Sequence, residues 1–377
     1  MRRRLKTWSP PALTFIIINI SYLLSARDWF SVGARVRWDA QQYLDIAERG
    51  YELVPCARLD YPTEGWCGNA GWFPLYPYLL RTLTLTGISP GLAAVLVAEA
   101  AALGALVVLW HLLGARVSVV NLACLGLGAL LPAGVYLHSG FPLSLTVLLA
   151  LLAVLFVTRG RWVLAGLAGG LAATAYPTGV LVAVIATVHL LLADGPLRWR
   201  IARAALVAAL GVAGTLAVFT LLAVTTGRFD AYLLVQAKYG NVGHNPFATF
   251  KALAANDTLT ANTTGPTELL GRVTATAAAE LWFSTALVLV TLAAVVHLAV
   301  RRRATGLDWA LCAYGLLVLL VPLSLGVNVA QYRSHTLLVP VVLALSRAPA
   351  WVTTGLLGAS VLLMPGMTEL IVAGYLV

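Results

Sequence analysis

Apolar residues run in long unbroken blocks along this chain, and polar residues collect in the gaps between them. A block of about 18 or more apolar residues is long enough to cross a ~30 Å hydrocarbon core as a helix. Backbone groups in lipid must be satisfied within helices or closed barrels. The blocks are rich in Leu, Ala and Val and do not alternate with a period of two, so they read as helices. Membrane crossings are expected at 10–26, 90–113, 117–136, 141–158, 203–225, 281–300, 307–325, 335–348 and 351–371. The stretch 162–193 is too long for one crossing, at about 48 Å by the 1.5 Å rise of an α-helix. Tyr176-Pro177-Thr178-Gly179 divides it, because proline breaks a helix and glycine permits a reversal. Two short helices, 162–175 and 178–193, join the nine others and make eleven.

Composition agrees. Of 377 residues, 60% are hydrophobic and 11% charged, whereas a soluble domain carries about 25% charge. The expected class is an all-α polytopic membrane protein. The net charge of +10 would suit a nucleic-acid partner if it were spread over a surface. Instead Arg2, Arg3 and Arg4, then Arg159 and Arg161, then Arg198, Arg200 and Arg203, then Arg301, Arg302 and Arg303 fall between apolar blocks. That is the positive-inside pattern. With eleven crossings it places the N-terminus in the cytoplasm, in a cell membrane, and no nucleic acid is implied. Met1 to Ala26 resembles a signal peptide, but Leu24 is bulky for a cleavage site, so a retained first helix is expected.

Two long segments, 27–89 and 226–280, and a short one, 326–334, then lie on the extracytoplasmic face. The cytoplasmic loops are too short to hold a nucleotide, which disfavours a nucleotide-consuming reaction there. In the first outer loop, residues 37–51 form an amphipathic helix with Tyr43, Ile46 and Ala47 on one face and Gly50 as the stop. Asp39 at its start has two compatible readings. It is an N-cap, with Gln42 completing a capping box. It is also a carboxylate kept ionised by the helix N-terminus, which suits a general base. Further on, Trp72-Phe73-Pro74-Leu75-Tyr76-Pro77-Tyr78 is either an interfacial aromatic belt or a wall of a lipid-substrate groove.

Trp38-Asp39-Ala40, Tyr43, Ile46-Ala47, Gly50-Tyr51 and Phe73-Pro74-Leu75-Tyr76-Pro77 together resemble the PIG-V-like mannosyltransferases of the GT-C superfamily. That family includes the second mannosyltransferase of GPI-anchor assembly. Gln236 and Tyr239 before Asn245-Pro246, and Gln331-Tyr332-Arg333 before Pro340, continue the resemblance. The chain departs from the family pattern at His138-Ser139-Gly140, at Tyr176-Pro177 and at Gln331-Tyr332. The resemblance implies a GT-C fold and a polyprenyl-phosphate-linked donor, typically of mannose. It also implies a lipid-linked or glycan acceptor and a catalytic acid in the first outer loop, here Asp39.

Such a transfer needs one base behind the acceptor and a cation at the departing phosphate. The outer-face candidates for that cation are Lys238, His244, Arg333 and His335, and Arg333 is preferred because its planar fork matches phosphate oxygens. Trp38, Gln42, Tyr43, Tyr76, Gln236 and Tyr332 complete the candidate substrate site. Glu99, nine residues into an apolar block, is either functional or hydrogen-bonded to a neighbouring helix. There is no Asp-x-Asp pair, and no metal or other cofactor is indicated. Gly166 and Gly170 read as a helix-packing pair. Cys56 and Cys67 are the outward-facing cysteines available to close their loop in an oxidising compartment. Asn256-Asp257-Thr258 and Asn262-Thr263-Thr264 match the glycosylation pattern. The competing functional classes are a transporter or flippase, suggested by the break at Pro177, and a non-catalytic subunit of a glycolipid assembly complex.

Overall fold

The computed structural model describes residues 2–59, 64–241, 243–255, 267–326 and 330–374. The two glycosylation-like sequences, Asn256-Asp257-Thr258 and Asn262-Thr263-Thr264, lie outside the described residues.

The chain is all-α and polytopic. Helix α1 covers Arg2–Ser25. The segment that follows holds α2 (Val32–Arg35), α3 (Asp39–Arg49), the hairpin β1 (Leu53–Pro55) and β2 (Trp66–Gly68), and α4 (Leu75–Thr84). The strands pair antiparallel, with Val54 opposite Cys67. Next come α5 (Pro90–Leu112) and α6 (Val119–Leu130), the latter continued by a 3₁₀ segment, Pro132–His138. Helices α7 (Leu143–Thr158), α8 (Trp162–Ala175), α9 (Val182–Leu191) and α10 (Leu197–Thr226) follow. Two short helices, α11 (Ala231–Lys238) and α12 (Pro246–Ala254), precede α13 (Thr267–Val300) and α14 (Gly306–Leu323). The chain ends through α15 (Ala330–His335), a 3₁₀ run over Thr336–Arg347, and α16 (Ala350–Val372).

Every one of the eleven expected windows holds a helical element. Among the described residues six helices are long and apolar enough to cross a membrane, or seven if α6 and its 3₁₀ continuation, bent by 67°, count as one. The remaining elements are shorter, and two differ from the expectation. The window 335–348 is wound as 3₁₀ rather than α. Helix α13 starts at Thr267 rather than near 281, so the loop before it is shorter than 226–280. The break between α8 and α9 is present: Tyr176 is extended and Pro177–Leu181 is a 3₁₀ turn. A Cβ on Gly179 would lie 1.9 Å from the Ala172 carbonyl oxygen, so only glycine fits that return.

The loops sort onto two faces. On one, Gln236 reaches the Gly71 carbonyl, His244 backs onto Gly326, and Gly374 lies beside the Trp38 ring. Asp39 belongs to this face. On the other, Arg347 donates to the Arg303 carbonyl, and Trp8 meets His111. The close-packed seam is α8 against α10. A Cβ on Gly170 would come within 2.7 Å of the Leu210 carbonyl oxygen, and one on Gly214 within 2.1 Å of the Gly170 oxygen. The small residues bring two backbones together where no hydrophobic force separates helix from lipid. Cys56 and Cys67 are joined in a disulfide that closes the β1–β2 hairpin.

Candidate functional site

Helix α3 presents the face that its spacing predicts, with Tyr43, Ile46 and Ala47 buried, and Gly50 ends it at φ +85°. Its start is different. The N-cap is Trp38, which makes no side-chain capping bond, and Asp39 is the first helical residue. The capping box with Gln42 does not form. Trp38 holds φ +45°, a region that costs a side-chain-bearing residue roughly 1–3 kcal/mol. The Asp39 carboxylate bonds to α15 and not to its own helix terminus.

There it meets Arg333. Arg333 Nη1 donates to Asp39 Oδ2 at 2.5 Å, across 294 positions of sequence. The guanidinium is 10% exposed and the carboxylate 33%. Phe141 covers one face of the guanidinium, its ring centre 5.4 Å away. Arg333 Nε is buried without a partner. Asp39 Oδ1 takes no hydrogen bond from any described residue. One carboxylate oxygen is thus clamped by a cation, and the other has no partner among the described residues. Tyr43 and Tyr176 stand close enough to both charges to feel them.

Two residues along α15, His335 turns the other way. Its Nδ1 lies 2.8 Å from Glu280 Oε2 on α13, and its Nε2 lies 3.1 Å from Gln331 Nε2. Ser284 donates to Glu280 at 2.7 Å. His335 and Glu280 are fully buried. The expectation that His335 shares a phosphate with Arg333 therefore meets a ring already engaged on both nitrogens. Two acids from distant elements, Asp39 and Glu280, fix α15 from opposite sides.

A third ionic group lies one layer below. Glu99 on α5 pairs with Arg35 at the end of α2, and His138 Nδ1 lies 2.8 Å from its other oxygen. The Gly140 N–H donates to the Arg35 carbonyl at 2.8 Å, and a Cβ on Gly140 would crowd Val36 and Ala40. The segment His138–Phe141 therefore connects this group, the start of α3 and the face of Arg333. Glu99 does bond to neighbouring elements, as an ion pair with Arg35 and His138.

The other candidates fall in three places. Trp38 is exposed beside Asp39, and Gln42 is half-buried one turn on. Tyr43 is buried edge-on to Tyr76, and Tyr76 donates to the Ala94 carbonyl at 2.9 Å, so its hydroxyl is spent within the fold. Tyr332 is fully buried with its hydroxyl unpartnered. Gln236 ties α11 to Gly71, Lys238 Nζ lies 3.6 Å from Cys67 Sγ, and His244 is an exposed residue packed on Gly326. These last three brace loops rather than meet Asp39. Tyr51 does the same, donating to the Trp72 carbonyl at 2.9 Å, and burial pushes its phenol well above the ordinary range.

Glu280, Arg35 and Tyr176 are among the members of these networks absent from the sequence-derived set. Glu280 had a signal: an acid directly before an apolar block, in Ala278-Ala279-Glu280-Leu281, earns the same attention as Glu99. Tyr176 stood out only as part of the break before Pro177, and Arg35 had no signal, since each takes its meaning from residues far along the chain. Among the described residues no group of three or more His, Cys, Asp or Glu could hold a metal ion. Comparison of the chain with protein-family models and with curated proteins returns no match in either case.

Proposed function

We propose that this chain is a membrane glycosyltransferase of the inverting kind, with Asp39 as general base and Arg333 as the cation for a donor phosphate. The donor class is a polyprenyl-phosphate-linked sugar, mannose by the resemblance to the PIG-V-like family, and the acceptor a lipid-linked or glycan hydroxyl. The reaction belongs to the extracytoplasmic face, because the arginine-rich loops gather on the face opposite Asp39.

One observation carries the proposal: the half-exposed carboxylate of the Trp-Asp-Ala motif stands against the one arginine of the late Gln-Tyr-Arg motif. An acid and a cation side by side are the minimal set for this transfer. The acceptor oxygen attacks the anomeric carbon, and its proton passes to Asp39. The bond from that carbon to the phosphate oxygen breaks, and the electron pair leaves with the phosphate, where Arg333 offsets the charge. A single displacement inverts the anomeric centre, and a phosphate leaving group needs no second acid, unlike the two-carboxylate hydrolases. A positioned base contributes about 10²–10⁴-fold in rate.

The test is purified Asp39→Asn with a radiolabelled polyprenyl-phosphate mannose donor and a panel of lipid acceptors. Transfer by wild type and a loss of at least about a hundredfold in the folded variant is the expected result. Equal rates would remove Asp39 from catalysis. No turnover by wild type with any such donor would remove the enzyme class.

A further inference from the structure

The pairing of Asp39 with Arg333 has a consequence for the order of events at this site. Resting on the transferase reading above, we propose that the donor's phosphate displaces Asp39 from Arg333, so that the base is unmasked only in the donor-loaded protein.

Access to the guanidinium supports this. Phe141 lies across one face. The Nε edge is buried. The Asp39 carboxylate sits on the Nη end. Asp39 is also the more exposed partner, 33% against 10%, so a ligand arriving from outside reaches the carboxylate first. A phosphate that is to touch Arg333 directly must take the place of Oδ2. Arg333 is the more constrained partner, because its side chain is mostly buried, the Phe141 ring centre lies 5.4 Å from its guanidinium carbon, and its neighbour His335 is held on Glu280. Asp39 can move, because its oxygen Oδ1 has no partner among the described residues and its helix starts on an exposed, strained turn at Trp38.

The chemistry gains by the exchange. While Arg333 holds Asp39, the carboxylate is neutralised and is a poor base for a hydroxyl proton. Once phosphate takes the cation, the same carboxylate is released beside the acceptor. Deprotonation is thereby coupled to the presence of a donor.

Binding of geranyl phosphate, a sugar-free probe of the phosphate subsite, separates this exchange from its alternatives. Affinity is measured in detergent micelles for wild type, Asp39→Asn, Arg333→Gln and the double variant, with folding checked by size exclusion and melting. Removing the competing carboxylate is expected to tighten binding on the order of tenfold in Asp39→Asn, within the range of coupling energies between contacting residues. Arg333→Gln is expected to lose binding, and adding Asp39→Asn to it to restore nothing. Equal or weaker binding in Asp39→Asn, with loss in Arg333→Gln, overturns the exchange and leaves the transferase reading standing. Tighter binding that persists on adding Asp39→Asn to Arg333→Gln assigns the effect to charge alone and overturns it too. No binding in any of the four, Asp39→Asn included, overturns both.

Discussion

Replacing Glu99 with leucine leaves Arg35 as a buried charge with no counter-ion. The Arg35 side chain is 7% exposed, and its remaining oxygen partner is the His138 carbonyl at 3.4 Å, with the Trp29 ring 5.2 Å away. A surface ion pair is worth about 0–1 kcal/mol, but breaking a buried one from one side costs about 3–5 kcal/mol. Even the lower figure changes the folded-to-unfolded ratio by roughly a hundredfold. Removing both charges is a different perturbation. Arg35→Met with Glu99→Leu abolishes the desolvation penalty along with the attraction, which is by itself about neutral or stabilising, and leaves the unmade bond at His138 Nδ1, about 1–3 kcal/mol. The expected ranking is therefore wild type first, the double variant within about 1–3 kcal/mol of it, and Glu99→Leu below both. Purified proteins in one detergent, titrated with a denaturing detergent and followed by tryptophan fluorescence, measure it. A single variant as stable as wild type, or a double variant no better than the single, would refute the assignment of this group as a mutually compensated charge pair.

Gly214→Ala places a methyl 2.1 Å from the Gly170 oxygen and forces α10 away from α8; a loss of about 1–3 kcal/mol is expected in the same titration, with Gly355→Ala, which has open space, as the unaffected control. Reducing the Cys56–Cys67 bridge, or changing both residues to serine, frees a short hairpin; the expected cost is about 2–4 kcal/mol, read as a lower melting temperature with reductant than without.

The architecture was legible because apolar length is a property of the sequence itself. Every crossing window holds a helix, the Pro177 break is present, and Gly170 packs as a small-residue contact. The cysteine pair was legible for a similar reason, since the two sulfurs share one loop. Asp39 shows where local reading stops. Its spacing with Gln42 spells a capping box, yet Trp38 takes the cap position and the carboxylate bonds to Arg333, 294 positions away. A capping bond is worth about 1 kcal/mol, and a partly buried charge-assisted bond exceeds it. Periodicity also cannot distinguish α from 3₁₀ in a block apolar on every side, which is why Thr336–Arg347 was expected as an ordinary helix. Glu280 was hidden by a boundary: placed at a loop's edge on paper, it lies well inside α13.

That 3₁₀ run sets a length. Its 12 residues rise about 2.0 Å each, or ~24 Å, where α winding would give ~18 Å. With the 6 residues of α15 the segment reaches roughly 33 Å, enough for a hydrocarbon core of about 30 Å. Both ends are pinned: Arg333 to Asp39 on one face, Arg347 to Asp308 on the other. Rewinding the run as α-helix would shorten it by ~6 Å, and one of the two pins would have to let go. The looser winding thus acts as a gauge rod between the faces, and any tightening of its pitch would be felt at the Asp39 carboxylate.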